Sequence, residues 1–75
     1  MTRAYWFEHK EQGGVPVLRA AVGDYDLSVL HVAGEWQWLV RCAGHDIGEG
    51  AARNAVEARQ AAEAVARKLR AAMTR

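Results

Sequence analysis

The stretch Tyr25-Asp26-Leu27-Ser28-Val29-Leu30-His31-Val32-Ala33-Gly34-Glu35-Trp36-Gln37-Trp38-Leu39-Val40-Arg41-Cys42 decides the fold. Two runs of strand-forming residues flank Ala33-Gly34. A two-residue hairpin turn needs positive φ, which glycine supplies without a Cβ clash. Folding the stretch about that dipeptide sets His31 opposite Trp36, Val29 opposite Trp38, Leu27 opposite Val40 and Tyr25 opposite Cys42. Side chains alternate along a strand, so all eight share one face. The other face pairs Asp26 with Arg41, Ser28 with Leu39 and Leu30 with Gln37. An opposite-charge pair thus falls into register by itself. A slip of one residue exchanges the faces and destroys the pattern.

The pattern extends outward in both directions. Gly13-Gly14, Gly23-Asp24 and Ala43-Gly44 also separate apolar stretches. They predict five strands, at about Ala4 to Lys10, Val15 to Val22, Tyr25 to Val32, Glu35 to Cys42 and Asp46 to Ala51. Strands joined by tight turns are antiparallel. A turn at Gly13-Gly14 places Glu8 opposite Arg19 on the outer face, with Tyr5, Phe7 and His9 inside beside Val22, Ala20 and Leu18. A turn at Ala43-Gly44 lets Arg41 meet Asp46.

Alanine dominates after residue 52. Asn54 followed by Glu57 fits a helix N-cap and its reciprocal partner. The helix is predicted over Ala55 to Met73, with an apolar stripe of Ala55, Ala58, Ala62, Val65, Ala66, Leu69 and Met73 at spacings of three and four. Small stripe residues allow close approach, so Trp36 and Trp38 are expected to supply much of the core. The predicted fold is α+β: a four- to five-stranded antiparallel β-meander (residues 1–52), then one C-terminal helix (53–75) packed on one face. No linker is long enough to divide the chain, so 1–75 reads as a single domain.

Composition narrows the chemistry. The chain has 75 residues, 51% of them hydrophobic and 25% charged, with a formal net charge of +1. Its single cysteine excludes an internal disulfide, and the spacings of a Cys-rich zinc site are absent. No apolar run approaches the ~18–20 residues that span a bilayer. The first eight residues meet a charge too early for a signal peptide, so a cytoplasmic location and no membrane partner are expected. Cys42 and His45 flank a tight turn, but two ligands do not make a tetrahedral site, and no metal or cofactor is expected. A working thiolate also needs an orienting group, an oxyanion hole and a cleft, and Ser28 has no histidine nearby in the register. The glycines of Gly44-His45-Asp46-Ile47-Gly48-Glu49-Gly50 lack phosphate-loop spacing. The expectation is a non-enzyme.

Two surfaces are left to bind. Residues 1–52 carry a net −3 and residues 53–75 a net +4. Arg59, Arg67 and Arg70 fall on the solvent side of the helix, with Lys68 on a flank, and such a face can track phosphates. Glu63 interrupts it and forms an ordinary i, i+4 pair with Arg67, so a solvated amphipathic face is the simpler reading. The outer sheet face is more unusual. It gathers Trp6, Val15, Val17, Ala21, Leu30, Val32 and Leu39 among Glu8, Arg19, Asp26, Gln37 and Arg41. A solvated antiparallel face is normally more polar. Trp6, Val17, Arg19, Leu30, Leu39 and Arg41 are the candidate protein-binding residues; Arg59, Arg67, Lys68 and Arg70 are the nucleic-acid alternative. A chain this short buries only ~60% of its unfolded surface, so a protein partner or a second copy in a homodimer is expected to cover the remainder.

The Trp36-x-Trp38 strand, the Ile47-Gly48-Glu49-Gly50-Ala51 segment and the alanine-rich Ala61-Ala62-Glu63-Ala64 turn of helix are similar in composition to small accessory proteins of GC-rich bacteria and their phages. The resemblance runs from about Asp26 to the C-terminus. It implies action by binding, as a phage-encoded inhibitor of a bacterial assembly such as a CRISPR effector; the alternative expectation, which does not rest on the resemblance, is a nucleic-acid-binding or antitoxin-like regulatory protein using the basic C-terminal helix. No site residue is carried over from the resemblance.

Overall fold

In the computed structural model, which describes residues 5–10 and 16–73, β1 (Phe7–Lys10), β2 (Pro16–Val22), β3 (Tyr25–Val32), β4 (Glu35–Cys42) and β5 (His45–Ala52) form one antiparallel sheet. Strand order follows chain order, and α1 (Ala55–Met73) packs on one face. The fold is the expected α+β meander with a C-terminal helix. Ala33 and Ala43 have φ of 53° and 52°, and the glycines after them have φ of 79° and 81°. Positive φ at both central residues is the type I′ pattern, whose twist matches that of the strands it joins. These turns fix the register read from sequence, including Tyr25 opposite Cys42, Val29 opposite Trp38 and Arg41 opposite Asp46.

The first hairpin departs from expectation by one residue. Phe7 pairs with Arg19, Glu8 with Leu18 and His9 with Val17. The slip exchanges the faces of the N-terminal segment. Tyr5 and Phe7, expected inside, are 86% and 58% exposed. Trp6, expected outside, packs against the core cluster that includes Ala20, Val22 and Leu27. The expected pairing of Glu8 with Arg19 is lost with the same slip.

The cause lies in the helix. It lies over β3, β4 and β5, touches β2 least, and among the described residues does not reach β1. Apolar surface on β2 is therefore left for a ring to cover. Trp6 covers it and donates its indole N–H to Glu63 Oε2 at 2.5 Å. Burying indole surface outweighs an exposed cross-strand ion pair worth ~0.2–1 kcal/mol. The Gly13-Gly14 turn and Val15 lie outside the described residues.

A second departure shapes β5. Pairing runs from Trp36 with Ala52 to Val40 with Gly48, then shifts, so that Arg41 pairs with Asp46. Ile47 is the extra residue, as in a β-bulge. Without it, Ile47 and Glu49 would face the helix. With it, Gly48 and Gly50 do. A Cβ at Gly50 would stand 2.7 Å from Trp38 Cζ2, and one at Gly48 would stand 3.1 Å from Val65 Cγ1. The Trp38 indole therefore lies directly on the β5 backbone, and the helix closes onto it.

The helix begins as its sequence dictates. Asn54 Oδ1 accepts from the Glu57 amide at 2.8 Å, and the Asn54 carbonyl accepts from the Ala58 amide at 3.1 Å. Ala58, Ala62 and Ala66 are fully buried against the sheet, over a core whose largest buried side chains include Leu27, Val29 and Val40. Among the described residues no polar or charged side chain is buried. At the far end of the β3–β4 hairpin, His31 and Trp36 stack with ring centroids 4.2 Å apart and planes within 4°.

Candidate protein-binding face

One sheet face lies under the helix, and the other carries the candidate site. The register sorts its outward side chains into three cross-strand rows. One runs Phe7, Arg19, Ser28, Leu39 and Glu49. A second runs Ala21, Asp26, Arg41 and Asp46, and a third Val17, Leu30, Gln37 and Ala51. A depression of about 400 Å³ is lined by Val17, Arg19, Asp26, Ser28, Leu30, Leu39 and Arg41. A neighbouring one of about 370 Å³ shares Leu30 and Leu39 and reaches Glu49 and Ala51 on β5.

Five of the six residues singled out from sequence thus line one depression, Val17, Arg19, Leu30, Leu39 and Arg41, although Val17 is itself buried at 2% exposure and only the other four are accessible. Trp6 does not join them, because the slip of β1 turns it to the helix side. The same slip brings out Phe7, which sequence reasoning had placed inside. The signal that would have found it is the reach of the helix, since a stripe rich in alanine covers too narrow a strip to shelter both Tyr5 and Phe7.

Charge on this face is graded. Arg19 stands on the β2 side. On the β4–β5 side Arg41 donates through Nε to Asp46 Oδ1 at 2.7 Å, and Asp46 and Glu49 are both exposed. Asp26 is opposite Arg41 in the register, but the short ion pair of Arg41 is the one with Asp46. Apolar floor, charged margin and an exposed aromatic resemble the anatomy of protein interfaces more than that of a catalytic cleft. Ser28 shares its depression with two arginines, an aspartate and aliphatic side chains, with no imidazole among the lining residues. Cys42 is half-buried against the core and is opposite the exposed His45. Among the described residues no three of His, Cys, Asp and Glu converge to hold a metal ion, and no helix is long and apolar enough to cross a membrane.

The alternative basic site divides. Arg59, Arg67 and Arg70 share one flank of α1 with Glu63, whereas Lys68 lies on another side of the helix. Glu63 Oε1 accepts from Arg67 Nη2 at 3.2 Å while Oε2 holds Trp6. The Arg70 side chain lies over Gly23 in the β2–β3 turn. Part of the positive charge is therefore engaged in closing the fold.

The chain matches no protein-family model, no curated protein and no solved structure.

Proposed function

We propose that the protein is a non-enzymatic binding module that docks onto another protein through the sheet face opposite the helix. The observation that carries this reading is the depression lined by Val17, Arg19, Leu30, Leu39 and Arg41 on the face opposite the helix. Its floor is aliphatic and its margin carries both signs of charge, a composition suited to a protein surface and ill suited to a phosphate backbone. The exposed Phe7 beside Arg19 adds the residue types on which binding energy concentrates. The narrower version, an inhibitor of a bacterial assembly such as a CRISPR effector acting in the cytoplasm, is supported by compositional resemblance alone.

Affinity capture from host lysate tests the reading, with Leu30→Asp, Leu39→Asp and Lys68→Glu run beside the wild type. A stoichiometric protein that survives nuclease and high salt, is lost with both leucine variants and is kept by Lys68→Glu is the expected result. Circular dichroism of the leucine variants must match the wild type. Capture that persists in Leu30→Asp and Leu39→Asp removes the face from consideration. Nucleic acid retained only at low salt, and lost on charge reversal at Arg59 and Arg67, would place the function on the helix flank instead.

A further inference from the structure

We infer that the open edge of β5 takes up a sixth strand, an extended segment of another protein that carries lysine or arginine on one of its sides. This edge is separate from the sheet face opposite the helix, and its role does not rest on the reading given for that face.

The sheet ends at β1 on one side and at β5 on the other. An edge strand presents a row of unpaired N–H and C=O groups, which proteins blunt with short length, lysine or proline. β1 has four residues and ends in Lys10. β5 has eight residues and contains neither lysine nor proline. Its bulge at Ile47 leaves Gly48 to Ala52 in unbroken register with β4. Alternate residues of that run turn their backbone groups away from β4. Among the described residues, the backbone–backbone hydrogen bond outside the helix and the sheet ladders joins Ala58 to Asn54, so the outward groups of β5 have no backbone partner. Another extended backbone matches such a row along its whole length.

The Trp38 indole adds a donor at the same edge. Its Nε1 lies 2.9 Å from where a Cβ on Gly50 would stand. Among the described residues this N–H has no acceptor, and no buried side-chain nitrogen or oxygen lacks a partner, so it is open to solvent. Trp6, by contrast, donates its N–H to Glu63.

The side chains beside the edge set the chemistry of the occupant. A strand added ~4.8 Å from β5 alternates its side chains between the helix side and the open face. On the helix side it meets Gly48, Gly50, the Trp38 N–H and the flank of α1 that carries Ala61, Val65 and Lys68. Small apolar residues and a hydroxyl or amide acceptor suit that side. On the open side it meets Glu49, which is exposed and has no ion pair among the described residues, whereas Asp46 is held by Arg41. A basic residue opposite Glu49 forms a cross-strand ion pair and lies on the other face from Lys68. A second copy of β5 fits less well. Centring that pair on Glu49 sets two carboxylates opposite each other, and centring it on Gly50 leaves them diagonal.

A synthetic peptide that alternates lysine with threonine and valine is the probe, followed by amide NMR on the isotope-labelled chain. Amides within Gly48 to Ala52 and the Trp38 indole N–H should shift on titration, and the same amides should gain protection from hydrogen exchange. A fully N-methylated peptide of the same sequence should produce no shift, because it cannot donate to the ladder. Glu49→Lys should weaken binding about fivefold, and a peptide with glutamate in place of lysine should recover it. Leu30→Asp, two strands away on the open face, should leave the affinity unchanged, so the edge and the face fail separately. Absence of any shift in β5 at millimolar peptide overturns the inference, as do equal shifts with the N-methylated peptide. Protection of the β5 amides that rises with protein concentration alone also overturns it, since a second copy would then hold the edge.

Discussion

Two tryptophans close the core from opposite flanks of the helix-covered face, and they owe their places to different physics. Trp38 sits within β4, and its indole lies on Gly50 of the neighbouring strand. Its position follows from a tight turn, a register and a missing side chain. Trp6 precedes β1, and its indole is anchored on Glu63 of the helix, 57 residues along the chain. Its position depends on what the finished helix leaves uncovered. Local rules set the face and register of the first ring, and the helix then brings the glycine beneath it; the second is placed only once the tertiary structure exists.

The Trp38 side is the more costly to break. Gly50→Val puts a branched side chain where a Cβ alone would meet the indole at 2.7 Å. The ring must lift from β5, and Val65 and the helix must give way above it. Overpacking of this kind costs about 3 kcal/mol, read as a fall in the urea midpoint at unchanged slope. An unchanged midpoint would show that Trp38 has another rotamer available and that the glycine is incidental.

The Trp6 side should yield less. Trp6→Ala removes a half-buried ring and leaves Glu63 with Arg67 as its short-range partner. A fully buried tryptophan costs ~3–5 kcal/mol on truncation, so about 2 kcal/mol is expected here. Trp6→Phe keeps most of the apolar surface and loses the N–H donor, which separates packing from a hydrogen bond worth about 1 kcal/mol. Hydrogen exchange should show β1 opening in Trp6→Ala while β3 and β4 remain protected. Equal loss of protection across all five strands would mean that β1 is no separate unit.

The same contrast explains what was legible in the sequence. The β2–β3 and β3–β4 pairings and the cap at Asn54 are dictated within a few residues of chain, and all were readable. So was the cluster of Val17, Arg19, Leu30, Leu39 and Arg41, because it follows from those registers. The bulge at Ile47 was not, since the alternative register also satisfies Arg41 with Asp46. What decides it is the helix, which requires Gly48 and Gly50 beneath Val65 and Trp38. The slip of β1 was hidden for the same reason. Glu8 opposite Arg19 is a sound local pairing, and only the unfilled space beside α1 outweighs it. Phe7 was therefore assigned to the wrong face and Trp6 to the candidate site.

The smallest effect is a gain in stability, and it sharpens the distinction between local and tertiary control. Ala33 and Ala43 hold φ near 50°. A left-handed conformation costs an L-residue with a Cβ roughly 1–2 kcal/mol, whereas asparagine tolerates it, and Asn-Gly is a preferred type I′ pair. Ala33→Asn should therefore stabilise the protein by about 0.5–1 kcal/mol, and Ala43→Asn by a similar amount. Both raise the urea midpoint if the turns set the register. The two changes should also add, because the turns lie at opposite ends of β4 and share no side-chain partner. Neither should alter exchange in β1, whose pairing depends on Trp6 and Glu63. A gain that appears only in combination, or that spreads to β1, would show that the sheet registers as one unit and that the two tryptophans are placed by a common event.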